Sequence, residues 1–81
     1  MRIRTLLFAS YRDIAGADAV ELEVDDDATV SDLVGALRAQ GGAWASLPAH
    51  AAVAVNHRYA EHDVRLQETD EVALIPPVAG G

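Results

Sequence analysis

The chain has 81 residues, no cysteine and a formal net charge of −7, which predicts one domain with a single modest core. The composition excludes a disulfide framework and a thiolate metal site. The negative charge argues against a nucleic-acid partner, because phosphates are bound by basic side chains. No apolar run is long enough to span a membrane and the first residues do not form a signal peptide, so we expect a cytoplasmic protein with no membrane partner.

Residues 2–9 predict a first strand. Their alternation places Ile3, Thr5 and Leu7 on one face and Phe8 on the other. Because both faces carry large apolar groups near the end of this strand, we expect that the outer face is not simply exposed to solvent.

Residues 10–15 predict a short helical turn that ends at Gly16. Residues 20–24 then alternate strictly between apolar and acidic side chains. This pattern indicates a second strand with one solvated face, as in an antiparallel pair.

The main helix is predicted from Thr29 onward, with Thr29 as N-cap and Asp32 able to return a hydrogen bond to it. Its apolar stripe consists of Val30, Leu33, Val34 and Leu37. We expect Gly41 and Gly42 to stop the helix, and we interpret Gly35 as a position of close packing on the sheet.

The second half predicts two further strands and one weak region. Residues 43–47 indicate a helical turn in which Trp44 covers the edge of the core. Residues 51–56 and 71–75 predict strands, whereas residues 59–66 indicate no more than one edge strand. The pairing of this weak region stays open.

This order of elements predicts an α+β fold, with a mixed sheet of four to five strands packed on one main helix. We expect the first and last strands to lie side by side at the centre of the sheet. The chain would then leave from the middle of the sheet's end.

The last six residues begin with two prolines, end with two glycines and carry no side-chain charge. We expect residues 1–75 to form the domain and residues 76–81 to be a flexible tail. Because glycine has no Cβ, Gly80 and Gly81 fit a slot too narrow for other residues, and the reactive group there is the terminal carboxylate. The alternative is a frayed end without function.

The chain shows no catalytic motif of its own. There is no nucleophile elbow, no phosphate-binding loop and no metal pair on a helix. We interpret His50, His57 and His62 as surface residues and expect no metal site. An autonomous enzyme is therefore disfavoured.

The sequence DEVALIPPVAGG at residues 70–81 resembles the C-terminus of the small subunits of molybdopterin synthase, which are sulfur carriers of the ubiquitin-like β-grasp family. Residues 6–9, 12–13 and Gly16 are similar to the start of that family, and residues 53–56 to its third strand. The resemblance covers the whole chain and implies a β-grasp fold.

The resemblance implies a sulfur carrier of molybdenum cofactor biosynthesis that binds no cofactor stably. In this family an adenylyltransferase of the ubiquitin-activating type uses ATP and Mg²⁺ to adenylate the terminal carboxylate, here that of Gly81. Sulfur then replaces AMP and gives a thiocarboxylate. Gly80 and Gly81 are the implied reactive residues of a subunit that is not itself the catalyst.

The implied acceptor partner is the large subunit of molybdopterin synthase, which holds the catalytic residues. The two kinds of subunit form a heterotetramer of two small and two large chains, in which the sulfur attacks cyclic pyranopterin monophosphate.

The same resemblance assigns a docking face to Phe8, Tyr59 and Ile75, on the side of the sheet away from the helix. The rest of the implied partner contact is the tail, namely Pro76, Pro77, Val78 and Ala79. For Phe8, the residues alone leave an ordinary core position equally open.

Other functions stay open on the residues alone. The carrier could serve thiamine, cysteine or tRNA thiolation instead. The same activated carboxylate could join a lysine of a target protein, as in a ubiquitin-like modifier. The domain could also be a non-catalytic interaction module with an inert tail.

Overall fold

The computed structural model describes residues 1–77 and shows a sheet with the main helix on one face. The strands are β1 Arg2–Leu7, β2 Ala19–Glu23, β3 Ala52–Val55, β4 Arg58–Tyr59 and β5 Val72–Ile75, and the helices are α1 Ala9–Ala15, α2 Val30–Arg38 and a 3₁₀ helix Gly42–Ser46. Among residues 1–77, no helix has the length and apolar character that crossing a membrane requires.

The five strands follow the order β2-β1-β5-β3-β4. β1 pairs with β5 in parallel, while the other neighbours are antiparallel. The predicted α+β fold and the predicted central pairing of the first and last strands are therefore confirmed.

The core lies between the sheet and α2, as the alternation of the strands predicts. Ile3, Thr5 and Leu7 are buried in β1, and Val72 and Leu74 are buried in β5. The helix contributes its whole predicted stripe, which is Val30, Leu33, Val34 and Leu37. Trp44 is buried at the edge of the core, with its ring centroid 6.0 Å from that of Tyr11.

α2 begins with the capping box that the sequence predicts. The Asp32 amide donates to Oγ1 of Thr29 at 3.3 Å, and the Thr29 amide donates to Oδ2 of Asp32 at 2.9 Å. These two amides lie at the start of the helix and have no acceptor inside it. Each therefore donates to an oxygen of a nearby side chain instead.

The two amides between Thr29 and Asp32 donate to carbonyls of the weak region, residues 59–66. Val30 donates to the carbonyl of Val64 and Ser31 to the carbonyl of His62, each at 2.9 Å. Nε2 of His62 lies 2.8 Å from the carbonyl oxygen of Ala51, and the side chain is half-buried. The expectation of a surface position for His62 is therefore wrong, because its ring bridges the weak region to the start of β3.

Two expectations for α2 are corrected. The helix ends at Arg38, with Ala39 as C-cap, so it stops before Gly41 and Gly42. Those glycines instead adopt positive φ and lead into the 3₁₀ helix. Gly35 faces solvent, and a Cβ placed there meets no atom within 4 Å, so it does not serve close packing on the sheet.

Replacing Gly35 by Ala is expected to raise the free energy of unfolding by about 0.5–1 kcal/mol. The exposed helix interior has room for the methyl group, and Ala restricts the unfolded chain more than Gly does. Chemical denaturation measures the change. The matched control is Gly16→Ala, where a Cβ also meets no atom within 4 Å but φ is 68°. Because alanine is strained at this φ, the control change should destabilise the domain. Equal effects at the two positions would contradict this account.

Candidate partner-binding site

The sheet face opposite α2, here called the outer face, carries an apolar groove of about 440 Å³. This outer groove is lined by Leu6, Phe8, Ala54, His57, Tyr59, Glu71, Ala73 and Ile75. Its floor comes from the outward positions of β1, β3 and β5, because neighbouring residues in a strand point to opposite faces. The pairs Leu6–Ala73 and Ala54–Ala73 are in register, so Ala73 lies between Leu6 and Ala54 at the centre of the groove.

Phe8 forms one wall of the outer groove. It follows directly after the buried Leu7 and is 47% exposed, so it is not a core residue. Ala9 has a φ of 49°, which turns the chain away from the sheet immediately after Phe8. The Phe8 carbonyl accepts the Tyr11 amide at 3.0 Å and so closes the first turn of α1. The Phe8 ring is therefore left exposed just beyond the end of β1.

Tyr59 forms the opposite wall from the short edge strand β4. It pairs with Ala54 of β3 and is 77% exposed. A large aromatic side chain this exposed in a small domain is available for contact with a partner, since aromatic residues are enriched at interfaces.

A polar pair closes the end of the outer groove that lies nearest the start of β5. Nε2 of His57 lies 2.9 Å from Oε2 of Glu71, and both side chains are exposed. The outer face continues beyond β1 with charged residues rather than apolar ones. Arg2 pairs there with Glu23 at 2.9 Å and with Glu21 at 3.5 Å. The apolar part of the face is thus confined to the half from which the tail departs.

The base of the tail adjoins the outer groove. Ile75 lines the groove, Pro76 is half-buried and Pro77 is exposed. A smaller depression of about 170 Å³ lies on the other side of this base, and it includes Tyr11 and Pro77. Burial raises the pKa of the Tyr11 phenol above its ordinary value, so this hydroxyl stays protonated at neutral pH.

The structure brings three of the predicted site residues together. Phe8, Tyr59 and Ile75 all line the outer groove, on the predicted face. The predicted residues Val78, Ala79, Gly80 and Gly81 lie outside the described residues. The roles of all these residues in binding and sulfur transfer stay predictions.

Sequence reasoning did not find the contribution of Ala54, His57 and Glu71. The outward position of Ala54 follows from its place between Val53 and Val55, which was a usable signal. The His57–Glu71 pair had no local signal, because it depends on how β3 and β5 pair. Within residues 1–77, no three His, Asp or Glu side chains are grouped to hold a metal ion.

Comparison with known proteins shows that the chain is similar to small sulfur-carrier and modifier proteins. The model of the ThiS family matches residues 5–81. The chain is 38% identical to the molybdopterin synthase sulfur carrier subunit of Escherichia coli, over 98% of this chain and 99% of that protein. It is 33% identical to small archaeal modifier protein 3 of Haloferax volcanii, over the full length of both.

Among solved structures, the crystal structure of SAMP1 from Haloferax volcanii aligns over the whole of both chains, with a TM-score of 0.77 and 34% identity. The strand order and this structural likeness therefore define a ubiquitin-like β-grasp domain, as predicted. Within that class, the chain belongs to the ThiS family.

Phe8→Asp is expected to change the free energy of unfolding little, because the side chain lies on the outer face and is half exposed. Leu37→Ala is the matched change in the core and should cost about 2–5 kcal/mol, since Leu37 is fully buried under the sheet. Urea denaturation of both variants compares them directly. A large loss of stability in Phe8→Asp would mean that the outer groove is part of the core.

Proposed function

We propose that this chain is the sulfur carrier of molybdopterin synthase. The observation that carries the proposal is an apolar groove on the strand that leads directly into a Pro-Pro to Gly-Gly tail. Support comes from the family match over residues 5–81 and from relatives with this function in their names, at 35% and 38% identity over nearly full length.

The proposed chemistry takes place at the carboxylate of Gly81. A carboxylate does not accept nucleophiles readily, so an adenylyltransferase first joins it to the α-phosphate of ATP and releases pyrophosphate. Hydrosulfide then attacks the acyl carbon, AMP leaves with the electrons of the broken bond, and the proton of the hydrosulfide is released to solvent. The product is a thiocarboxylate, which is a soft nucleophile and is ionised at neutral pH. ATP and Mg²⁺ belong to the activating enzyme in this proposal.

The proposed role of the outer groove is to dock the large subunit of molybdopterin synthase, which contributes the catalytic residues. The thiocarboxylate then attacks cyclic pyranopterin monophosphate within that subunit, in a heterotetramer of two carriers and two large subunits. A groove with apolar walls and a polar rim resembles the centre and edge of protein interfaces in general. The expected cytoplasmic location is part of the same proposal.

Sulfur loading can be tested by intact mass. The chain is co-expressed with an adenylyltransferase of the ubiquitin-activating type and a sulfur donor from the same source. We expect a mass gain equal to the exchange of one oxygen for sulfur, located in the C-terminal peptide. A variant without Gly81 and one with an added residue after Gly81 should both stay unmodified. An unmodified wild-type chain, next to a known carrier that the same enzymes load, would contradict the proposal.

Docking can be tested with the purified large subunit. Phe8→Asp should weaken its binding at least about tenfold, because a carboxylate would be placed in an apolar interface without a partner. Isothermal titration gives the Kd. The matched control is Ala39→Asp, an exposed position at the end of α2, which should leave the Kd unchanged. Equal affinities for Phe8→Asp and the unaltered chain would show that the large subunit does not use this groove.

A second candidate function is protein modification, favoured by the full-length similarity to small archaeal modifier protein 3. The same acyl adenylate would then be attacked by a lysine amine of a target, with release of AMP. Immunoblots of the source cells distinguish the two functions. Conjugates of higher mass that vanish without Gly81 would indicate modification, and a thiocarboxylate without conjugates would indicate a carrier alone.

A further inference from the structure

Two side chains tie the turn between β3 and β4 to the start of β5, namely His57, through its contact with Glu71, and Asn56, which makes two hydrogen bonds. Its Oδ1 accepts a hydrogen bond from the Glu71 amide at 2.9 Å, and its Nδ2 donates to Oδ1 of Asp70 at 3.0 Å. The Asn56 amide also donates to the Glu71 carbonyl at 2.8 Å. Asn56 therefore joins the turn to two adjacent residues, which are 14 and 15 positions away from it in the chain.

The backbone at this turn explains why the residue is an asparagine. Asn56 and His57 have φ angles of 52° and 71°, and two successive positive φ angles match the tight hairpin turn of type I′. Asparagine tolerates this left-handed conformation better than most residues. The network continues through Asp70, whose Oδ2 accepts the Gln67 amide at 2.8 Å.

This turn carries one wall of the outer groove. β4 has only two residues, and Tyr59 is the second of them. Beyond Tyr59, the Ala60 amide donates to the Val53 carbonyl at 2.9 Å and the chain then leaves the sheet. Because the strand is so short, the position of Tyr59 relative to β5 depends largely on how the turn is held.

We infer that Asn56 is a positioning residue for partner binding, which holds Tyr59 at the spacing from β5 that the partner requires. Asn56 does not line the outer groove itself, so it acts through Tyr59. The inference rests on the proposed function, since the partner is the large subunit that docks on this groove.

A double-mutant cycle tests the inference. The probe is the purified large subunit, and its Kd is measured for the unaltered chain, Asn56→Gly, Tyr59→Ala and the double variant. Glycine retains the left-handed turn and removes only the side-chain bonds. Asn56→Gly should raise the Kd about tenfold in the unaltered chain. In the Tyr59→Ala background the same change should raise it by no more than about twofold, because its effect passes through Tyr59.

An exchange of two side chains gives a rescue. Asn56→Asp alone places two carboxylates against each other and should weaken binding. Asn56→Asp combined with Asp70→Asn restores the donor between them, and the oxygens still accept the amides of Glu71 and Gln67. This pair should return the Kd to within about threefold of the unaltered chain. Thermal unfolding of every variant confirms that each is folded at the temperature of titration.

The outcomes separate the inference from the function on which it rests. Equal losses of affinity in the two backgrounds would show that Asn56 acts on the domain as a whole, which overturns the inference alone. Failure of the exchanged pair to rescue binding would do the same. If the unaltered chain does not bind the large subunit, the proposed function is overturned and this inference with it.

Discussion

The parallel pairing of β1 with β5 at the centre of the sheet is the constraint on which the rest of the structure depends. In this register Leu7 lies beside Leu74 under the helix, and Leu6 lies beside Ala73 on the outer face. A shift by one residue would exchange the two sets, because successive side chains of a strand point to opposite faces. The burial of Leu7 and Leu74 therefore also fixes the composition of the outer groove.

The inner face of the sheet supplies the core, whereas the outer face carries the candidate binding groove. The fully buried side chains belong to the inner face and to α2, so the domain's core does not need the walls of the outer groove. The outer face is itself divided, with ion pairs of Arg2 at one end and apolar walls at the other. Exposed ion pairs contribute little to stability, but they keep that half of the face solvated. The apolar half borders Pro76 at the start of the tail.

Much of the fold could be predicted from the sequence, because its decisive signals are local. The alternation of β1 separated Phe8 from the buried residues of that strand, the family resemblance assigned Ile75 to the same outer face, and Thr29 with Asp32 predicted the start of α2. The remaining features join segments far apart in the chain. No local pattern shows that the carbonyls of the weak region accept the first amides of α2. The bonds of Asn56 to Asp70 and Glu71 likewise depend on the β3–β5 register, which single-sequence patterns do not give.

A single strand links the core, the groove and the tail. β5 buries Val72 and Leu74, presents Ala73 and Ile75 to the outer groove, and is followed at once by Pro76. A partner that docks on the groove therefore holds the start of the tail in a fixed position.

Four residues separate Pro77 from the end of the sequence, and they can span at most about 14 Å when fully extended. In the proposed carrier, docking so close to Gly81 confines its carboxylate to a small volume, which raises its effective concentration in the partner's active site. The rigid prolines reduce the conformational entropy that binding must remove. In the proposed carrier, the position of β5 therefore determines both where the partner binds the groove and where the carboxylate is delivered.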